Sequence, residues 1–364
     1  MTQVTEVRSG RLHAMMGVEP WAVDFVEVTK DSAEIRGWAL PPQGIASLAS
    51  FTLNNRRFEQ ILYPLPRGDL EKVFWYIPRS EMSGLVCRTT LRADTFLDGH
   101  AVLKYINERT EQPVREDHSY YYPDPAKDEA PFPDPERRRR VHGSDDEGTF
   151  RLEGYSAHVK LELALGRIFD LGYTHFSNIL DWGCGCGRMT RYFRSLAETD
   201  HAKITGLDID ADSIHWCDQN LDFGHFSDVP LHPPTDLRDS QFDLLVGVSV
   251  FTHLDERAQF EWLNELKRIA SDGAILLMTI HGDAAACRNP YMTAEDLDNL
   301  YDCGFLDAGQ DSSLQSFVAD PNYYRTAYHR RSYVLANWSR YFEIVDIIPG
   351  YIGNFQDLVV MRKR

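Results

Sequence analysis

The chain has 364 residues, enough for two or three domains, and its composition is that of an ordinary globular protein, 43% hydrophobic and 26% charged. This composition excludes collagen-like, fibrous and mostly disordered proteins. The net charge of −17 falls almost entirely on residues 113–364, because residues 1–112 hold 13 Lys and Arg against 14 Asp and Glu. A surface this acidic repels polyphosphates, so we expect no nucleic-acid partner.

The sequence contains no run of about 18 apolar residues and no apolar signal core near its start, so we expect no membrane span. The cysteines have neither the paired spacing of a zinc site nor the density of a disulfide framework, which predicts no metal and a reduced, cytoplasmic protein. They stand at positions 87, 184, 186, 217, 287 and 303. A homodimer is compatible with the sequence.

Residues 1–112 contain short β-type segments about ten residues apart, bounded by turn-forming residues. This pattern predicts a small all-β, sandwich-like N-terminal domain. Its role stays open between binding a glycan, forming a dimer interface and covering the active site. The predicted strands are 24–28, 33–40, 51–53, 57–59, 73–77 and 85–91.

Residues 113–150 contain six of the 18 prolines, which predicts a linker or an extended arm. The basic run 137–140 within it has acidic neighbours on both sides. We therefore interpret this run as part of a solvated or salt-bridged arm and not as a nucleic-acid patch.

Residues 151–364 alternate between strands and helices, which predicts an α/β layer fold with a mostly parallel sheet. The predicted helices are 161–171, 188–196, 211–221 and 256–269. No helix separates the last two predicted strands, 342–348 and 357–362, so these must pair antiparallel or leave the sheet. The segment 282–332 is long and rich in aromatic residues, which predicts a substrate-cap insert.

The strongest signal is the glycine-rich stretch DWGCGCGR at residues 181–188, which a strand enters and a helix leaves. Asp208 ends the next strand, 21 residues after Gly187, where a carboxylate can accept both ribose hydroxyls. This pairing fits either NAD or S-adenosylmethionine. The loop spacing is G-x-G-x-G and not G-x-G-x-x-G, and Asp181 would be unfavourable beside a pyrophosphate but suits an ammonium or sulfonium group.

From about residue 150 the chain resembles class I S-adenosylmethionine-dependent methyltransferases, and it is most similar to bacterial members that modify small molecules or glycans. The matching motifs are residues 179–188, 206–210, 242–245 with 249–254, and 356–362. The resemblance implies a Rossmann-like, mostly parallel sheet with an antiparallel last strand. It also implies S-adenosylmethionine as cofactor and S-adenosylhomocysteine as product.

The resemblance implies cofactor contacts at the strand ends. Asp181 holds the ammonium group and Asp208 binds the ribose diol. The other contacts are Gly183, Cys184, Gly185 and Gly187 with the methionine part, Ile209 and Asp228 with the adenine, and Ser249 and Val250 beneath the sulfonium.

The acceptor site is expected at the carboxyl ends of the parallel strands. His253 follows the fourth strand and His281 the fifth, and a histidine is suited to act as general base near neutral pH. We favour His281 as the base, with His253 as the alternative. Candidate acceptor contacts come from the insert and the last turn: Tyr291, Tyr328, His329, Tyr351, Asn354 and Gln356.

The leading hypothesis is a methyltransferase that acts on a small molecule or glycan, at oxygen, by in-line displacement. The alternatives are an NAD-dependent oxidoreductase and a non-catalytic protein that binds a glycan or a partner. The glycine spacing disfavours the oxidoreductase, and the two histidines disfavour the non-catalytic protein.

Overall fold

The computed structural model describes residues 2–17, 20–128, 130–311, 320 and 322–364. Within the predicted insert 282–332, residues 312–319 and Pro321 lie outside the described part. Across the described ranges, no helix combines the length and the apolar character needed to cross a membrane.

The N-terminal part is built mainly of antiparallel strands. Its elements are α1 (Thr2–Met16), β1 (Trp21–Val28), β2 (Ser32–Ala39), β3 (Ala49–Leu53), β4 (Arg56–Arg57), β5 (Gln60–Pro66), α2 (Gly68–Val73), β6 (Met82–Thr90), β7 (His100–Asn107), β8 (Gln112–Pro113), β9 (Tyr120–Pro123) and α3 (Pro135–His142).

The C-terminal part alternates between helices and strands up to its last hairpin. Its elements are α4 (Glu147–Phe169), β10 (Asn178–Trp182), α5 (Arg194–Glu198), β11 (Lys203–Asp208), α6 (Ala211–Asn220), β12 (Gly224–Asp228), β13 (Phe242–Gly247), α7 (Glu256–Ile269), β14 (Ala270–Ile280), α8 (Asp283–Ala286), α9 (Ala294–Cys303), β15 (Phe305–Gln310), β16 (Arg325–His329), α10 (Arg331–Asn337), β17 (Glu343–Ile352) and β18 (Gln356–Arg362).

Two antiparallel sheets make up the N-terminal part. One has the strand order β1-β2-β6-β5, and the other has β4-β3-β7-β8 with β9 also paired to β7. Trp21 and Ile35 from the first sheet share one buried cluster with Phe51 and Tyr105 from the second. The apolar faces of the two sheets are therefore packed on each other, as alternation of buried and exposed residues along a strand allows.

The C-terminal part contains a seven-stranded sheet with the order β12-β11-β10-β13-β14-β18-β17. Strands β10 to β14 pair in parallel, whereas β18 pairs antiparallel with both β14 and β17. The antiparallel pairing predicted for the last two strands is confirmed. Because β17 runs antiparallel to β18, it points in the same direction as β14 and ends at the same rim.

Neighbouring residues of the central strands point to opposite faces of this sheet. Leu180 belongs to the cluster that packs on α7, together with Trp262, whereas Ile179 belongs to the cluster that packs on α4, together with Leu161. Burial on both faces explains why these strands are nearly continuous apolar runs in the sequence. The sheet is thus the middle layer of an α/β arrangement.

Helix α4 lies between the two parts and contacts both. Ser156 Oγ accepts a hydrogen bond from Tyr121 N in β9 at 2.8 Å, and Lys160 Nζ donates to Tyr351 O in β17 at 2.9 Å. Two glycines permit the close approach: an added Cβ would lie 1.9 Å from Val26 O at Gly148 and 2.2 Å from Arg188 O at Gly154. Both obstacles are backbone atoms, which cannot rotate away.

Two predicted elements have a different secondary structure. Residues 73–77 are not a strand: the chain forms α2 over Gly68–Val73, and Phe74 and Tyr76 fill a core shared with α1 and the insert. Acidic residues in its first turn favour this helix. The predicted helix 188–196 is instead a 3₁₀ turn over Thr190–Phe193 followed by the short α5.

Residues 113–150, predicted as a linker or arm, include β9 and α3. The prediction of a salt-bridged basic run is confirmed, because Arg137 pairs with Asp212 at 2.6 Å, Arg140 with Asp210 at 2.6 Å, and Arg139 with Asp145.

We expect Gly154→Ala to lower the melting temperature, although alanine is the better helix former by about 1 kcal/mol. The added methyl would force α4 away from the Arg188 carbonyl. Gly166→Ala in the same helix is the matched control, since its nearest obstacle is 3.8 Å away, and it should leave stability unchanged or raise it. Thermal unfolding measured by circular dichroism checks both, and equal effects of the two variants would contradict the close-contact explanation.

Candidate functional site

A cleft of about 930 Å³, including the part open to solvent, lies at the carboxyl ends of β10, β11 and β13. A second cavity of about 480 Å³ adjoins it. Both are lined by the same central residues, so together they form one continuous groove. The shared residues are Gly183, Asp208, Ile209, Ser249, His253 and Tyr324.

The glycine-rich loop forms the floor of the cleft. Gly183, Gly185 and Gly187 have φ values of 78°, 54° and 74°, in the left-handed region that favours glycine. A Cβ on Gly183 would lie 2.2 Å from Val250 Cγ2. The loop is held to the neighbouring strand because Gly183 N donates to Leu207 O at 2.7 Å.

Asp208 connects two loops beneath the cleft. One carboxylate oxygen accepts from Gly185 N at 2.7 Å, and the other accepts from Asp210 N at 2.9 Å. Burial raises the pKa of Asp208 to about 6, against the opposing effect of these backbone N–H groups. Each carboxylate oxygen has a further lone pair available for a ligand hydroxyl.

Asp181 is a second buried carboxylate in the cleft, with 2% of its surface exposed. Thr190 Oγ1 donates to its Oδ2 at 2.6 Å. Burial raises the pKa of Asp181 to about 7. The buried Asp181 and the partly buried Asp208 suit a ligand that carries an ammonium group and ribose hydroxyls, and both carboxylates oppose a pyrophosphate.

The other predicted cofactor residues divide into two groups. Ile209 and Val250 line the second cavity, next to Trp262 and Leu254. Most of the side chains that line this pocket beside Asp208 are apolar. Asp228 is exposed at the end of β12, and neither of the two described cavities includes it.

Helix α3 covers one side of the cleft, a feature that the sequence analysis missed. Its residues Arg140 and Val141 line the groove, and a Cβ on Gly185 would lie 2.9 Å from Val141 Cγ2. Asp134 caps the helix start, Pro135 is its first residue, and Gly143 follows its end at φ 76°. These residues are recognised helix start and stop signals, so the sequence contained the evidence for this helix.

His253 borders both cavities. Its Nδ1 lies 3.1 Å from Arg325 O and 3.8 Å from Asp311 Oδ2, and its ring stacks on Tyr324 with centroids 4.5 Å apart. A carbonyl oxygen only accepts, so Nδ1 carries the proton and Nε2 has the free lone pair. Burial lowers the pKa of His253, which keeps the ring neutral near pH 7.

His281, the residue favoured as base from the sequence, lies behind His253 and lines neither described cavity. The two ring centroids are 6.3 Å apart. Burial lowers the pKa of His281 to about 3, and its Nδ1 has no hydrogen-bond partner among the described residues. The last residues of β14 and His281 itself are buried, which the sequence pattern did not indicate.

Most of the predicted acceptor contacts lie away from the cleft. Tyr291 is 87% exposed, outside both described cavities, whereas the others are held in the interior. His329 Nε2 is 2.8 Å from Gln259 Oε1, Tyr351 donates to Lys160 O, and Asn354 donates to Trp21 O. The structure therefore does not bring these side chains to the groove: His329 contacts α7, Tyr351 contacts α4, and Asn354 contacts the N-terminal part.

Two further acceptor candidates lie behind the wall of the groove. Tyr328 is buried beside His281, with ring centroids 5.4 Å apart, and its hydroxyl accepts from Asn289. Gln356 does not line the described cavities but contacts Ser249, which does, with Nε2 to Oγ at 2.9 Å. Ser249 has a φ of 65°, an unusual value for a non-glycine residue.

Sequence reasoning also missed Tyr324, Arg188 and Met189 as lining residues. Arg188 Nη1 lies 3.2 Å from Glu153 Oε2 on α4, so the wall of the cleft extends into that helix. Within the described part of the chain, no three His, Cys, Asp or Glu side chains come together as a metal site.

A family model described as a methyltransferase domain matches residues 180–276. Among solved structures, this chain is similar to the PH0226 protein of Pyrococcus horikoshii, with 17% identity, 58% of this chain and 91% of that chain covered, and a TM-score of 0.39. It is also similar to a SAM-dependent methyltransferase of Methanosarcina mazei, with 18% identity, coverage of 51% and 92%, and a TM-score of 0.38.

A third structure, an S-adenosylmethionine-dependent methyltransferase of Mesorhizobium loti, has 14% identity, coverage of 52% and 91%, and a TM-score of 0.36. TM-scores this low do not establish a common fold over the whole chain. The family assignment depends instead on the matched domain, which includes the glycine-rich loop, Asp208 and His253. Residues 180–276 of this chain therefore form a methyltransferase domain.

Proposed function

We propose that the enzyme transfers a methyl group to the oxygen of a small-molecule acceptor, which binds where Ser249, His253 and Tyr324 border the groove. The observation that carries this proposal is the position of His253 in the same groove as Asp181 and Asp208. When bound, S-adenosylmethionine supplies a methyl group attached to positively charged sulfur.

The residues of the cleft would hold this cofactor by charge and shape. Asp181 would bind the ammonium group, Asp208 the ribose hydroxyls, and the pocket beside Ile209 the adenine. The positive φ values of the loop glycines let the backbone approach the ligand without side-chain obstruction. Asp181 and Asp208 oppose NAD, whose pyrophosphate would face these two carboxylates.

His253 is our candidate for the general base, in place of His281. A hydroxyl acceptor must lose its proton, and a neutral imidazole with a free Nε2 lone pair can accept it. The Arg325 carbonyl holds the ring orientation, and Asp311 at 3.8 Å would stabilise the positive charge that then forms on His253. The proposal includes glycans as acceptors, which would bind at the same opening of the groove.

Asp208→Ala should weaken S-adenosylmethionine binding at least about tenfold, because the ribose hydroxyls would lose the carboxylate that accepts their hydrogen bonds. Asp218→Ala, an exposed carboxylate on α6, is the matched control and should leave the affinity unchanged. Isothermal titration calorimetry with S-adenosylmethionine, and with NAD as the competing ligand, measures both. Binding of NAD in preference to S-adenosylmethionine would overturn the cofactor assignment.

The raised pKa of Asp181, about 7, predicts opposite effects on stability and on binding. A carboxyl group whose pKa is higher in the folded state adds stability at low pH, and this stability is lost as pH rises through 7. Asp181→Asn should therefore raise the melting temperature of the free enzyme more at pH 8 than at pH 5.

The wild-type affinity for S-adenosylmethionine should fall by up to about tenfold per pH unit below pH 7, as Asp181 becomes protonated. In Asp181→Asn the affinity should be weaker at pH 8 and nearly flat from pH 6 to 8. Calorimetry across this range measures the profile, and an unchanged pH dependence in the variant would assign the effect to another group.

His253→Asn should lower kcat by about 100-fold and leave the affinity for S-adenosylmethionine unchanged, because a general base acts only in the chemical step. His281→Asn is the matched control and should change kcat little. Release of S-adenosylhomocysteine with a panel of small phenols and alcohols measures turnover. If His281→Asn lowered kcat about 100-fold and His253→Asn left it unchanged, His281 and not His253 would be the general base.

A further inference from the structure

Four polar side chains at the ends of β13, β14 and β18 form a hydrogen-bond chain that reaches the groove. Thr279 Oγ1 accepts from Ser249 N at 2.7 Å and donates to Gln356 Oε1 at 2.6 Å. Gln356 Nε2 donates to Ser249 Oγ at 2.9 Å, and Ser249 Oγ lies 3.2 Å from Thr252 Oγ1. The chain of contacts therefore converges on the Ser249 hydroxyl.

The direction of each hydrogen bond follows from burial. Thr279 is fully buried, so its hydroxyl proton needs an acceptor, and Gln356 Oε1 is the acceptor that faces it. If the Gln356 amide were flipped, its NH₂ group would face Thr279, and the hydroxyl proton of Thr279 would have no acceptor. The amide is thus fixed with Nε2 towards Ser249.

Thr252 is also fully buried, and within the described residues its hydroxyl bonds with Ser249 alone. Its proton must then go to Ser249 Oγ. Ser249 Oγ accepts from both Gln356 and Thr252, which occupies its two lone pairs. Its own proton has no acceptor within this group, and Ser249 lines both cavities, so the remaining partner is a ligand in the groove.

We infer that Ser249 donates a hydrogen bond to the reacting oxygen of the acceptor, and that this donor selects hydroxyl acceptors over amines. Gln356 and Thr279 are positioning residues that keep the Ser249 proton directed into the groove. The inference rests on the proposed function, because it concerns the same acceptor position beside His253.

The selectivity follows from lone pairs. A hydroxyl oxygen has two, so one can accept from Ser249 while the other attacks the methyl carbon. An amine nitrogen has one, and a hydrogen bond from Ser249 would occupy the pair needed for attack. In the transfer, the acceptor oxygen forms the new bond to carbon, the carbon–sulfur bond breaks with its electron pair left on sulfur, and His253 Nε2 takes the hydroxyl proton.

The backbone of Ser249 gives independent support. Its φ of 65° strains any residue except glycine, which could occupy this position freely. The backbone conformation therefore does not explain a serine at this position, whereas a binding role of its hydroxyl group does. The conformation itself is held by the Ser249 N–H bond to Thr279.

Gln356→Glu is the sharpest variant because it keeps the shape of the side chain and replaces the donor by an acceptor. The new carboxylate would accept from both Thr279 and Ser249, and the Ser249 proton would turn away from the groove. Ser249→Ala removes the donor outright, and Ser249→Gly does so while relieving the strain. Thr279→Ser keeps the positioning hydroxyl, whereas Thr279→Val removes it.

The probes are phenol, aniline and toluene, which match in shape, titrated by ligand-observed NMR in the presence of S-adenosylhomocysteine. Wild-type enzyme should bind phenol more tightly than aniline or toluene, with about fivefold of the preference due to Ser249. The share of the phenol preference that is due to Ser249 should be lost in four variants, Ser249→Ala, Ser249→Gly, Gln356→Glu and Thr279→Val. It should be kept in Thr279→Ser. A far-ultraviolet circular dichroism spectrum like that of the wild-type enzyme shows that each variant is folded.

The inference is overturned if wild-type enzyme binds phenol no more tightly than toluene, or if the preference survives in Ser249→Ala and Gln356→Glu. It is also overturned if aniline is methylated as fast as phenol. A failure of the proposed function has a different result: His253→Asn would leave turnover unchanged while the phenol preference still depended on Ser249.

Discussion

The geometry of the active site depends on the carboxylate of Asp208, which ties the glycine-rich loop to the start of α6. One oxygen accepts from Gly185 N and the other accepts from Asp210 N, so both loops are fixed by a single, partly buried side chain. Asp210 in turn caps α6 and pairs with Arg140 of α3. The floor and one wall of the cleft are therefore joined through adjacent carboxylates, and the same group that orders the site faces its ligand.

Much of the C-terminal architecture could be predicted from the sequence, because buried parallel strands and an amphipathic helix leave clear periodic signals. Helix α7 has the predicted bounds Glu256–Ile269, and the antiparallel pairing of β17 with β18 followed from the missing helix between them. The loop glycines and Asp208 were identified because tight turns and ribose recognition restrict residue type at fixed spacing.

The residues around the acceptor could not be predicted in the same way, because they are brought together by packing between distant segments. Tyr351 and Asn354 were assigned to the rim, yet their side chains contact Lys160 and Trp21. His253 and His281 both follow parallel strands, and the sequence does not indicate that His253 borders the groove whereas His281 lies behind it. Helix α3 was overlooked because prolines on its N-terminal side resemble a linker, although Asp134 and Pro135 also start a helix.

The position of β9 has a consequence for any attempt to dissect the molecule. Strand β9 completes an N-terminal sheet, whereas α3, a short distance along the chain, covers the cofactor cleft. A cut before β9 leaves β7 without one of its partners, and a cut after α3 separates the cover from the cleft. The acidic segment 113–364 is therefore not a separate structural module, because its first long strand, β9, pairs with β7 of the N-terminal sheet.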